Sequence, residues 1–237
     1  MRPSFALLLW LVSTAVAYPA SQPGPASPPT LAAAERGSAD AQYATGMAYD
    51  LGQGVPVDYV AAVRWYRAAA EQGHADAQFA LAEMYKNGDG VGKSLDEALR
   101  WYRKAAAHGQ AGAELMLGVL YESGVGVRAD VAEAARWYRL SSDHGDARAQ
   151  LLLGVLYQTG QGVRWDPVAA WALYSVSAAH DSSRENPAPG HRAMLEREMT
   201  PLQVGQADAL ARSMLAPGEF AKAFDRYLAS GAAGPGR

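Results

Sequence analysis

Gly92-Lys93-Ser94 has the ending of a phosphate-cradling loop, in which backbone N–H groups and a lysine hold phosphate oxygens and a hydroxyl meets the metal. That loop also needs a glycine at position 87 and a strand before it. Position 87 is Asn87, and the residues ahead of it have helical periodicity. His108, His144 and His180 recur at one fixed spacing and raise the prospect of a metal site or a pH sensor. Equivalent residues on stacked helical units lie about 8–10 Å apart. Two nitrogens on one zinc ion lie within about 4 Å of each other, so these imidazoles are read as helix C-terminal residues favoured by the macrodipole. No serine elbow and no His-Glu-x-x-His pair occurs, and no Ser-His-Asp set can be assembled. Catalytic residues, metal and cofactors are therefore all expected to be absent.

The aromatic and basic residues repeat in the same way. Trp65-Tyr66, Trp101-Tyr102 and Trp137-Tyr138 share one phase, and Leu173-Tyr174 continues it. One such pair per unit predicts a stacked core and not a ligand box. Arg64 with Arg67, Arg100 with Arg103 and Arg136 with Arg139 form parallel rows, interspersed with Glu71, Glu97 and Glu133, and read as a solvated outer face.

The chain has 237 residues, 49% hydrophobic and 19% charged, with a formal charge of -3 and no cysteine. It can bury a sizeable core, it lacks the basic stripe a nucleic-acid binder needs, and it has neither disulfides nor thiolate metal sites. Arg2, the apolar run Phe5 to Val16 and Ala15-Val16-Ala17 read as a signal peptide over 1–17, cleaved after Ala17. The run falls short of the roughly 20 residues that span a bilayer, so no membrane span is expected in the mature protein, which is exported to the periplasm or secreted. Residues 18–29, rich in Pro, Ala, Ser and Gly, are expected to form a disordered leader.

These groups are positioned by a 36-residue period. Gly37, Gly73, Gly109 and Gly145 open four units, and Gly54, Gly90, Gly126 and Gly162 recur within them, each followed by valine. In the second unit Ala77, Ala80, Leu81, Met84 and Tyr85 form one apolar helical face. Gly88 follows as a left-handed C-cap, and Ser94 with Glu97 predicts a capping box that starts a second helix. Asp58, Asp130 and Asp166 take that N-cap position elsewhere, with Pro167 at the first helical residue. Helix A, glycine loop, helix B is thus predicted four times, over 37–72, 73–108, 109–144 and 145–180.

Gly109-Gln110-Ala111, Leu117-Gly118-Val119-Leu120-Tyr121, Gly124-Val125-Gly126-Val127 and Ala134-Ala135-Arg136-Trp137-Tyr138 resemble the Sel-one-like repeat (SLR), a relative of the tetratricopeptide repeat. The resemblance implies an all-α, right-handed solenoid of antiparallel helix pairs that assembles complexes without catalysis by the repeats. Some secreted members of the family bind or slowly hydrolyse β-lactams, but those are rich in disulfide-forming cysteines; a cell-envelope enzyme of that kind is the rival reading.

The array needs closed ends, because a repeat cannot bury its face without a neighbour. Residues 30–36 echo the tail of a helix B and are expected to cap the start, so that the array runs over 30–180. Residues 181–230 are expected to cap the end, with helices over His191 to Met199 and from Thr200-Pro201 to about Leu215, and a final stripe of Phe220, Phe224, Tyr227 and Leu228. Residues 231–237 are expected to be a disordered tail. The family resemblance puts helix A on the concave surface. There, three positions per unit vary while their neighbours stay small or apolar: Tyr43, Met47 and Asp50; Phe79, Glu83 and Lys86; Leu115, Val119 and Glu122; Leu151, Val155 and Gln158. This stripe is the expected seat of a protein or peptide partner, and Trp165, where other units have Val57, Lys93 and Ala129, is a separate candidate anchor.

Overall fold

Left-handed glycines set the frame of the molecule. The structure, a computed structural model, describes residues 28–231. Among these residues it is all helical: α1 (Pro28–Glu35), α2 (Ala39–Leu51), α3 (Tyr59–Glu71), α4 (Ala75–Asn87), α5 (Leu95–Ala107), α6 (Ala111–Ser123), α7 (Val131–Asp143), α8 (Ala147–Thr159), α9 (Pro167–His180), α10 (Ala188–Glu196), α11 (Pro201–Met214) and α12 (Phe220–Ala229). The expected signal peptide, the leader up to residue 27 and the tail from residue 232 lie outside the described residues. No described helix is long and apolar enough to cross a membrane.

Helices α2, α4, α6 and α8 are the A helices. Each ends on a glycine with φ between 68° and 89°, a conformation that an L side chain adopts only at a cost. The chain then turns into α3, α5, α7 and α9, the B helices, whose N-caps Asp58, Ser94, Asp130 and Asp166 accept the N–H of Ala61, Glu97, Glu133 and Ala169. The box expected at Ser94 is half formed. Glu97 does not reach back to the cap; it binds the Arg100 guanidinium one turn on, at 2.7 Å, a charged donor in place of a neutral amide.

Each A helix packs on its own B helix and each B helix on the next A helix, which makes the expected solenoid of helix pairs. Two features fix the stacking. Tyr66, Tyr102, Tyr138 and Tyr174 are fully buried, one per unit. Three of these rings lie so close to the A-helix backbone that a Cβ on Gly46, Gly118 or Gly154 would come within 2.6, 2.5 or 2.7 Å of them. Between units, the second glycine of the loop meets the preceding B helix: a Cβ on Gly90 would sit 2.2 Å from the Tyr59 carbonyl oxygen. Glycine is required there by contact as well as by its positive φ.

The tryptophans divide. Trp101 is buried, whereas Trp65 and Trp137 are half-buried, so the expected uniform tryptophan core holds only in part. Lys104 covers the Trp101 ring at 4.0 Å, and Arg64 and Arg100 each lie 5.7 Å from the tryptophan that follows them. These basic stems cover the Trp65 and Trp101 rings.

Both ends are closed. Gln42 donates to the Ala34 carbonyl at 3.1 Å, as Gln78 does to Ala70 at 3.0 Å and Gln150 to Ser142 at 3.1 Å, so α1 stands where the B helix of a preceding unit would. It begins at Pro28, two residues before the expected start, because proline is tolerated in a first helical turn. At the other end α10 and α11 pack on α9, burying Trp171, Leu195, Leu210 and Met214. Asn186 accepts the Ala188 N–H at 3.0 Å and so starts α10 three residues before the expected His191. Thr200 and Gln203 form a reciprocal capping box at the head of α11.

Candidate partner-binding face

The stripe on the A helices has an inner and an outer part. At the first of its three positions Phe79, Leu115 and Leu151 are 7%, 2% and 0% exposed, sealed between units, so they present nothing to a partner. Tyr43 alone in this set is half-buried; its ring lies 4.6 Å from that of His74 and 5.8 Å from that of Tyr66. The expectation of a partner contact at Phe79, Leu115 and Leu151 is therefore corrected. Apolar periodicity does not distinguish the side of helix A that faces the next unit from the side that faces solvent.

The other two positions are half-buried in every unit: Met47, Glu83, Val119 and Val155, then Asp50, Lys86, Glu122 and Gln158. Their polar members are anchored from beneath. Tyr66 donates to Asp50 at 3.0 Å, Tyr138 to Glu122 at 2.5 Å and Tyr174 to Gln158 at 2.5 Å. The second unit departs from this pattern. Its A helix has Ala82 where the others have glycine and Lys86 where the others have an acceptor, and Tyr102 donates to Glu83 instead. Lys86 in turn binds Glu83 at 2.5 Å. The same buried phenol thus holds a different surface group, four residues on from Gly46, Gly118 or Gly154 but one residue on from Ala82.

Burial pushes the phenols of Tyr102 and Tyr138 well above the ordinary tyrosine range, reinforced by the carboxylates of Glu83 and Glu122, and burial pushes Tyr174 up as well. They remain donors at neutral pH. Asp50 is raised by burial, against the lowering effect of its Tyr66 hydrogen bond and with a smaller raising effect from Asp89. The face therefore offers oriented carboxylate and amide acceptors beside the apolar Met47, Val119 and Val155 in the first, third and fourth units, and the Glu83–Lys86 pair in the second. Such an array is suited to hydrogen bonding and contact along its length; its polar groups do not converge on one point.

Trp165 is half-buried in the loop before α9, with its Cβ against the C-cap Gly160, in the place that Lys93 and Ala129 take against Gly88 and Gly124. It belongs to the loop edge and not to the stripe. His144 and His180, read as helix-terminal, tie each B helix to the A helix of its own unit: their Nδ1 atoms lie 2.8 Å from Glu114 and 3.0 Å from Gln150. Among the described residues no group of three or more His, Cys, Asp or Glu is placed to hold a metal. The arginine rows were read as solvated throughout, yet Arg139 binds Asp225 at 2.8 Å and the Ala221 carbonyl at 3.2 Å. Its partners lie more than eighty residues away, where no local pattern reaches.

The sequence profile of the Sel1 repeat matches residues 39–74, 75–110, 111–146 and 147–182. Among solved structures, a Sel1 repeat protein from Oxalobacter formigenes is 33% identical with a TM-score of 0.65, over 73% of this chain and 74% of that one. The protein c5321, a protective antigen present in uropathogenic Escherichia coli strains and displaying an SLR fold, is 28% identical with a TM-score of 0.53, over 88% of this chain and 52% of that one. No curated protein matches the chain.

Proposed function

Because the chain belongs to the Sel1 repeat family, a family of helical-pair solenoids that commonly mediate protein–protein interaction, we propose that it is an exported, non-catalytic adaptor or regulator that holds a protein or peptide partner on its A-helix face. One observation carries this reading. The layer beneath the face is constant, a fully buried tyrosine in each of four units, while the groups it supports differ from unit to unit: Asp50, the Glu83–Lys86 pair, Glu122 and Gln158. A constant frame under a changing, half-exposed surface is how a stacked-repeat protein encodes recognition of one particular ligand.

Export rests on the residue pattern from Arg2 to Ala17. The reading is tested by crosslinking in the cell envelope with a photoreactive residue at position 119, then mass spectrometry. It expects one crosslinked protein, absent when the reactive residue is placed at the buried position 117. N-terminal sequencing of the mature chain is expected to begin at Tyr18; an intact Met1 start would remove export.

A further inference from the structure

The last helix, α12, is seated unlike α10 and α11, which pack on α9. It lies across the junction of the third and fourth units. From α7, Arg139 binds the Asp225 carboxylate, and its guanidinium carbon stands 4.7 Å from the centre of the Phe224 ring. Asp143 accepts the Ala221 N–H at 3.2 Å. From α8, Tyr157 meets Phe224 edge to face at 5.5 Å. From the loop before α9, both carboxylate oxygens of Asp166 accept the Tyr227 hydroxyl at 2.9 Å. Phe224 and Asp166 are 0% and 1% exposed as a result.

The same groove exists one unit earlier and is open. Moving back 36 residues turns Arg139, Tyr157 and Asp166 into Arg103, Tyr121 and Asp130. These line a cavity of about 650 Å³ with Val127, Arg128 and Ala129. Arg103, Arg128 and Asp130 are exposed and Tyr121 is half-buried. Among the described residues neither Arg103 nor Arg128 has an ion-pair partner. One unit further back the set is incomplete: Arg67 donates to Tyr85 at 2.8 Å, and Gly92 and Ser94 replace Arg128 and Asp130.

We propose that the groove between the second and third units is a docking site for an amphipathic helix of another protein, and that α12 displays the chemistry it selects: an aromatic residue, an acid directly after it and a tyrosine three residues beyond the aromatic. The aromatic packs on Tyr121 beneath Arg103, the acid pairs with Arg103 or Arg128, and the tyrosine hydroxyl donates to Asp130. A second copy's α12 is a poorer occupant. It would have to leave a seat that includes the bond from Ala221 to Asp143, and the open groove has Ala107 at that place. The surface is separate from the A-helix face, so the failure of either assignment leaves the other standing.

A labelled peptide of residues 217–231, crosslinked through the exposed positions 222 and 226 to hold it helical, is titrated into the full chain by fluorescence anisotropy. The expected result is saturable one-to-one binding that Arg103→Glu weakens at least tenfold and Arg139→Glu does not. An Asp225→Arg peptide is expected to bind the wild type at least tenfold more weakly and to recover on the Arg103→Glu chain. Circular dichroism confirms that the exposed Arg103→Glu substitution leaves the fold intact. An absence of binding, equal binding to Arg103→Glu, or loss only in Arg139→Glu would overturn the proposal, the last by showing exchange with α12 in its own groove. Self-association of the full chain in sedimentation that Arg103→Glu abolishes would also overturn it, by placing a second copy there.

Discussion

The Tyr138 hydroxyl, at the bottom of the third unit, donates to the Glu122 carboxylate at its surface over 2.5 Å. The bond ties the B helix to the half-exposed face of the A helix within one repeat. Removing it with Tyr138→Phe leaves a half-buried carboxylate short of a donor and is expected to cost about 1–3 kcal/mol in chemical denaturation. Burial and Glu122 hold the folded phenol above its unfolded value. Its contribution is therefore fully present below the unfolded tyrosine pKa of about 10 and declines as pH rises toward the folded one. Alkaline destabilisation is expected to be smaller in Tyr138→Phe. An identical alkaline profile in the two proteins would show that this phenol does not govern it.

Glu114 replaces an amide at a position where Gln42, Gln78 and Gln150 each donate to a buried carbonyl of the preceding helix. It is 2% exposed, and burial raises its pKa against the lowering effect of the His144 hydrogen bond and charge. A carboxyl that is harder to ionise in the folded chain lowers stability once pH exceeds its unfolded value, and does so fully above its folded one. Glu114→Gln is expected to raise stability at pH 7 by about 1 kcal/mol, an advantage that fades as pH falls into the carboxylate range. Loss of stability at pH 7 would mean that the pair with His144 outweighs the cost of burying the charge.

The 36-residue period was legible because each turn needs left-handed glycines and each B helix needs a polar cap; Gly88, Ser94 and Pro167 stand where those requirements place them. The buried bridges were not. Gln78 and Glu114 lie mid-pattern on helices whose apolar spacing says nothing of a polar side chain turned inward, Gln78 to the Ala70 carbonyl of the preceding unit and Glu114 to His144 of its own. Surface access along the A helices was legible at Glu83, Lys86, Val119 and Glu122, which are half-buried, but misread at Phe79, Leu115 and Leu151, because both flanks of an A helix share one periodicity and only stacking decides which flank closes. Arg139 was misread because its partner Asp225 arrives from the last helix.

Phe224 is the point at which α12 is held, between Tyr157 and the Arg139 guanidinium. Phe224→Ala removes a fully buried ring, for which about 3–5 kcal/mol is the usual cost. A linear array loses terminal units first, so hydrogen exchange is expected to accelerate in α12 and α9 before α3 or α4. Uniform acceleration across all helices would show instead that α12 stabilises the array as a single cooperative block.

The charge swap Glu83→Lys with Lys86→Glu separates support from recognition. In the native second unit the Tyr102 hydroxyl donates to Glu83, and Lys86 pairs with the same carboxylate. After the swap the carboxylate occupies position 86, where Asp50 and Glu122 accept from Tyr66 and Tyr138 in their own units. The phenol therefore keeps an acceptor, the ion pair is reversed, and stability is expected to stay within about 0.5 kcal/mol of wild type. Glu83→Lys alone leaves the buried hydroxyl facing two lysines, at an expected cost of about 1–3 kcal/mol. If the swap proves as unstable as that single change, the tyrosine does not transfer its bond, and Ala82 is what holds it at position 83. For the partner recovered from the envelope, the swap reverses the local charge pattern without altering net charge. Binding is expected to fall by tenfold or more (about 1.4 kcal/mol), measured by titration calorimetry with circular dichroism unchanged. Equal binding by swap and wild type would remove the second unit's A helix from the recognition face.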